Sequence, residues 1–312
     1  MAARSAARLC ILGALASCAT YPDAGFGNGA TAATVPDTPF FPQERYQCGP
    51  AALLTVPAHS GTATSMEALV QRVYIPGREG SLQTELLAAT RALGRIPYRI
   101  DPALAAVASE LDAGRPVLVL QNLGVDWLPR WHYAVVFGTD PAGGWVHLRS
   151  GTDEDRATRV PVFLRTWARG GFWGFVVLRP GELPADPDPA RFFAALAALD
   201  ATGQGATVLP SWQAAAAAWP DATTPPFALG NHALESGDFA VAEARYLAVL
   251  ALDPQHAAAR NNLAHVLAAT GRREAAVAEL ERALTQPELS AHWRAELEDT
   301  LAEITVSGPP KP

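Results

Sequence analysis

Pro42-Gln43-Glu44-Arg45-Tyr46-Gln47-Cys48-Gly49-Pro50-Ala51-Ala52-Leu53-Leu54 is the stretch on which the reading of this chain turns. The chemistry changes at Cys48. Before it the sequence is polar and bounded by Pro42; after it come Gly49-Pro50 and a run of small and apolar residues. Proline is favoured in the first turn of a helix, where its missing N–H would find no partner anyway. The pattern predicts a loop that delivers Cys48 to a helix start, with a helix to about Val56. Free backbone N–H groups and the positive end of the helix dipole gather there. Both favour a thiolate, the nucleophilic form of cysteine. Gln43 and Gln47 carry amide donors suited to a developing oxyanion.

Cysteine usage sharpens this. The cysteines are Cys10, Cys18 and Cys48. The first two fall in an N-terminal segment with Arg4 and Arg8 followed by a short apolar core, Leu9 to Ala16. That core is too short to cross a bilayer, as a targeting segment is. It ends in Leu15-Ala16-Ser17-Cys18, which resembles the bacterial lipobox. The resemblance implies cleavage before Cys18, lipid on Cys18, and, with Ala19 rather than Asp next, the outer membrane. Cys48 is then the one thiol of an exported protein and has no disulfide partner.

Far downstream stands His132-Tyr133-Ala134-Val135-Val136-Phe137-Gly138, a strand-like run opened by a histidine. Gln43, Cys48-Gly49-Pro50-Ala51-Ala52-Leu53 and this run together resemble the bacteriocin-processing (double-glycine leader) peptidases, over about residues 38–180. The resemblance implies a papain-like α+β fold with Cys48 as nucleophile, His132 as base and Gln43 as oxyanion donor. Gln43 stands five residues before Cys48, where papain-like enzymes usually have six. The family also implies an acid that orients the histidine, and here the sequence departs. The equivalent strand ends Leu148-Arg149-Ser150-Gly151-Thr152-Asp153. Three arrangements stay open: Ser150 orients His132, Asp153 does, or the pair works as a dyad.

Charge and length bound the rest. The chain has 312 residues, 49% of them hydrophobic, enough for two domains. Net charge is −7 without a basic cluster, which argues against a nucleic-acid partner. Helical patterns come first: Met66 to Val73 behind a Ser65 cap, Leu82 to Leu93 behind a Ser81 cap, and a helix after Asp101-Pro102. A short strand at 97–100 stands before the last of these helices, and strands at 116–121, 132–137, 145–149 and 172–178 follow, with a helical turn at 163–167. His59 and His147 read as a helix-end and a surface residue.

After Pro180 a second pattern begins. Gly203, Gly237 and Gly271 recur every 34 residues, and Pro220, Pro254 and Pro287 follow in step. Helix, Gly turn, helix, Pro at that period resembles tetratricopeptide repeats. The expected layout is a signal peptide 1–18, a flexible tether 19–37, a peptidase domain 38–180, a linker 181–188, an all-α repeat solenoid with a capping helix 189–306, and a tail 307–312. His232, His256, His265 and His292 make no metal-ligand spacing, and no motif calls for a cofactor or metal. The expected function is a lipid-anchored cysteine peptidase acting on a peptide or protein, with the repeats free to hold a protein partner. The other classes are a peptidase-fold scaffold without turnover, and another Cys–His acyl transfer such as amide hydrolysis on a cell-wall peptide.

Overall fold

The structure, a computed structural model, describes Tyr21 and residues 24–44 and 46–306. Cys18 and the signal segment lie outside the described residues. An N-terminal mixed α/β domain is followed by an all-helical repeat region.

The α/β domain is a sheet clad on both faces. Its strands are β1 (Ala33–Thr34), β2 (Ile96–Arg99), β3 (Val117–Asn122), β4 (Trp131–Asp140), β5 (Trp145–Ser150), β6 (Asp153–Arg159) and β7 (Gly174–Leu178). The spatial order is β2-β7-β3-β4-β5-β6, with β1 beside β4 and every pair antiparallel. Side chains alternate across a strand. Leu118, Leu120, Tyr133, Val135, Phe175 and Val177 therefore meet α1 (Cys48–His59), α2 (Met66–Val73) and α3 (Gln83–Ala92) on one face. Val117, Val119, Ala134, Val136, Val176 and Leu178 meet α4 (Leu104–Asp112) and α5 (Val160–Arg169) on the other.

Local chemistry explains most boundaries. Ser65 caps α2, its hydroxyl accepting from the Ala68 N–H at 3.1 Å. Ser81 does not cap α3 as its position predicts: Leu82 holds the cap site. The Ser81 side chain is pressed against the first turn of α1 instead, where a Cβ added to Gly49 would lie 2.6 Å from the Ser81 Cβ. Its Oγ is buried without a hydrogen-bond partner. β6 has no counterpart in the sequence reading. It is an exposed edge strand of sequence Asp-Glu-Asp-Arg-Ala-Thr-Arg, without the apolar alternation that marks a half-buried strand.

The layout differs from expectation at both ends of this domain. The tether does not run to residue 37. Ala24, Ala33 and Val35 are buried in the core, and the Val35 N–H donates to the Phe137 carbonyl at 2.8 Å. At the other end, residues 181–188 do not separate two bodies. The α4/α5-side core continues through Phe192, Leu196 and Leu199 of α6 (Pro189–Asp200) and Val208, Trp212 and Ala215 of α7 (Gly205–Ala218). Polar contacts reinforce the junction. The Arg191 guanidinium meets Asp101 at 2.6 Å, Tyr98 Oη accepts from the Asp188 N–H at 2.9 Å, and Gln204 Nε2 donates to the Arg91 carbonyl at 2.8 Å.

Helices α8 (Thr224–Glu235), α9 (Phe239–Leu252), α10 (Ala257–Ala269), α11 (Arg273–Leu284) and α12 (Ala291–Val306) form a further core of their own. The 34-residue glycines do the work their spacing implies. Gly203, Gly237 and Gly271 sit at φ between +76° and +79°, the left-handed turn that a side chain disfavours.

Candidate active site

Cys48 is the first residue of α1, and Gln47 takes the cap position. Tyr46 holds a left-handed φ of 66°, so the chain turns sharply into the helix. The Gln43 segment is fastened to the sheet. The Gln43 N–H donates to the Gly151 carbonyl at 3.2 Å, and Arg149 donates to the Thr38 carbonyl from Nε and Nη2 at 3.1 and 2.8 Å. Gln43, Cys48, Tyr133 and Ser150 consequently line one small cleft.

His132 is the second residue of β4 and Ser150 the last of β5. Arg149 pairs with Val135, which brings Ser150 diagonal to the histidine. His132 Nε2 and Ser150 Oγ are hydrogen-bonded at 2.8 Å. Asp153 is turned elsewhere: it opens β6, faces solvent, and pairs with Arg156 at 3.6 Å. Among the described residues no hydrogen bond joins Cys48 to His132; the backbone N–H of Tyr133, the next residue on β4, reaches the thiol instead.

Electrostatics differ from the sequence expectation. Burial raises the Cys48 pKa and outweighs the N–H groups of Tyr133, Gly49 and Cys48, which pull it down. The helix N-terminus does act on the sulfur, but desolvation wins. Burial, followed by the positive charges of Arg156 and Arg130, lowers the His132 pKa to about 4. The two shifts leave the Cys48 thiol and the His132 imidazole both neutral at rest. His132 lines neither of the clefts that Cys48 lines, and alternation along β4 sets it on the face opposite Trp131 and Tyr133.

A pocket opens on the other side of Cys48. The sequence offers Trp127 and Trp131, near His132, as cleft-lining residues; Trp131 lines this pocket, Trp127 does not, and the 78–83 loop is not expected from the sequence. Tyr133 and Leu120 form the pocket floor, each 4% exposed. Trp131 makes one wall, and the 78–83 loop makes the other. The loop is held by the Ile75–Gly80 bridge and by the Tyr133 hydroxyl, which donates to the Ser81 carbonyl at 3.2 Å. Apart from Leu82 and Gly80 its residues are polar, and before α3 begins at Gln83 no periodicity flags them. Among the described residues no three His, Cys, Asp or Glu side chains gather as metal ligands would. His59 and His147 are engaged elsewhere, with the Gly114 carbonyl and Asp155 at 2.8 and 2.9 Å.

A tetratricopeptide-repeat family model matches residues 227–291, which span α8 to α11. No curated relative matches the chain. Among solved structures it is similar to a double-glycine motif protease from an AMS/PCAT transporter in complex with the leader peptide. That match has 20% identity over 46% of this chain and 93% of the other, with a TM-score of 0.37. It is similar to a protein described as a C39-like peptidase from Bacillus anthracis, at 14% identity over 48% and 98%, with a TM-score of 0.41. The O-GlcNAc transferase of Thermobaculum terrenum, in a mutant form, matches at 23% identity over 37% and 23%, with a TM-score of 0.33.

Proposed function

We propose that the chain is a cysteine peptidase hydrolysing a peptide or protein, built on a papain-like domain and anchored through lipid on Cys18 at the bacterial outer membrane, facing the periplasm. The observation that carries the reading is that Ser150, hydrogen-bonded to His132 Nε2 at 2.8 Å, also lines the cleft shared by Gln43 and Cys48. Donation from Nε2–H to Ser150 leaves Nδ1 as the acceptor for the thiol proton. Cys48 Sγ attacks the scissile carbonyl carbon as that proton passes to His132. Gln43 Nε2 and the Cys48 N–H donate to the oxyanion. The imidazolium returns its proton to the leaving amine as the C–N bond breaks, and water then hydrolyses the thioester. A serine hydroxyl orients the ring but carries no charge to stabilise the imidazolium, so turnover is slower than with a carboxylate.

A specific observation favours a second reading, a peptidase-fold scaffold without turnover. The raised thiol and lowered imidazole both oppose an ion pair, and no hydrogen bond joins the two side chains. Catalytic hydrogen bonds tighten on substrate, and the peptidase reading requires in addition that the His132 ring swing to the Cys48 thiol when substrate binds. A peptidyl acyloxymethyl ketone separates the two. Labelling of Cys48 that is lost in His132→Ala supports the peptidase; no labelling at any pH, with no proteolysis, leaves the scaffold. Radiolabelled palmitate tests the anchor, which requires incorporation that Cys18→Ala abolishes.

A further inference from the structure

We propose that the pocket beside Cys48 selects substrates by one large apolar side chain flanking the scissile bond; the inference rests on the peptidase reading and deepens it. The cavity measures about 390 Å³, within the range of roughly 300–1,000 Å³ typical of small-molecule sites. A pair of glycines presents no side chain to such a space. Leu82, Leu120, Trp131 and Tyr133 give it apolar surface, Leu120 and Tyr133 from the same core as Leu53, Leu54 and Trp173, while Arg78, Glu79, Ser81 and Gln83 keep part of its lining polar. Trp131 is 56% exposed, so its indole face is free to cover an inserted side chain. Arg78 and Glu79 stand at the rim with opposite charges. They give the mouth no net sign, so a charged side chain gains nothing there that it does not lose by desolvation.

Cys48 lines this pocket as well as the Gln43 cleft, which puts the occupant one residue or so from the attacked carbonyl. The chain entering the pocket and the nucleophile are rigidly related, because the 78–83 wall rests on the α1 first turn through Ser81 and Gly49. A subsite whose apolar residues hold the inserted side chain separates side chains differing by a methylene by roughly 10–200-fold, and Leu or Phe from Gly by at least that.

The test uses the full chain and two readouts. Peptide mixtures randomised around the cut are digested and the products sequenced by mass spectrometry. Binding of an N-acetyl tripeptide amide carrying Phe, against its Gly counterpart, is measured on Cys48→Ala by calorimetry. Leu, Phe or Tyr should be enriched at one position flanking the cut, and the Phe peptide should bind at least tenfold tighter than the Gly peptide. Leu120→Trp, which fills the floor, should cut that ratio by about tenfold. Trp131→Ala, at an exposed site with little folding risk, should lower it as well. Cleavage or binding that favours Gly, or is indifferent to side-chain size, overturns the inference. Selective binding without any Cys48-dependent cleavage upholds the pocket and rejects the peptidase; cleavage without selectivity does the reverse.

Discussion

Acidification should destabilise this protein through a single imidazole. His132 has its pKa lowered from 6.5 to about 4 by burial and by the nearby positive charges of Arg156 and Arg130. A base whose folded pKa is depressed binds fewer protons in the native state than in the unfolded one. Stability from this group is therefore complete above the unfolded pKa and declines as pH falls from about 6.5 towards 4. At 1.36 kcal/mol per unit the full shift is worth about 3.4 kcal/mol, and at pH 4.5 about 2.6 kcal/mol is already lost. Urea denaturation of the wild type and His132→Gln, followed by tryptophan fluorescence at about pH 7.5 and pH 4.5, isolates the term. The glutamine keeps a hydrogen-bonding side chain and cannot titrate. The wild type should lose about 2.5 kcal/mol more than the variant between the two pH values. Equal losses would mean that His132 protonates freely in the folded protein, and that the buried neutral imidazole described above is wrong. A wild type that lost less than the variant would place an undetected anion beside the ring.

Four other outcomes follow from the same geometry. Cys48 should react with iodoacetamide more slowly than free cysteine at about pH 7 and catch up only above the ordinary thiol pKa of about 8.5, read by mass spectrometry of the Cys48 peptide; rapid labelling at pH 6 would show an ion pair in the resting site. Ser150→Ala should lower kcat more than KM while Asp153→Ala changes neither by more than about twofold, because only Ser150 touches the imidazole; the reverse ranking would reassign the orienting residue. Gly49→Ala should cost about 1–3 kcal/mol by overpacking against Ser81, and Ser81→Gly should restore most of it in thermal melts of the double variant. A fragment beginning at Asp186 should self-associate in sedimentation experiments, because it bares the apolar faces of α6 and α7 that the sheet covers; a monomeric, cooperatively unfolding fragment would count against a shared core.

Residues whose chemistry is local were legible in the sequence. Cys48 at a Gly-Pro helix start, the Ser65 cap and the periodic glycines each follow from one or two neighbouring side chains. The His132–Ser150 contact was one of three open arrangements, and only the diagonal of the β4–β5 pair brings it out over Asp153. What stayed hidden depends on tertiary context. Ser81 carries a cap's identity but is diverted by the close approach of Gly49. The helix-start argument for a thiolate was sound in direction, yet burial, invisible in a one-dimensional pattern, has the larger effect at Cys48. Residues 24–37 look like tether because they are small and polar, and only the exposed flank of β4 gives Ala33 and Val35 something to bury against.

The junction of α6 and α7 with the sheet has a mechanical consequence. Repeat arrays behave as one-dimensional stacks in which each unit is stabilised by its neighbours and fraying begins at free ends. Here one end is clamped by a tertiary core and by the Arg191–Asp101 and Gln204–Arg91 contacts, while α12, the last described helix, packs on α11 and α10. Such a stack unzips in one direction. Hydrogen exchange should run from α12 inward, and thermal motion of the array should pivot at α8, like a reed fixed at its base, rather than at the 181–188 segment.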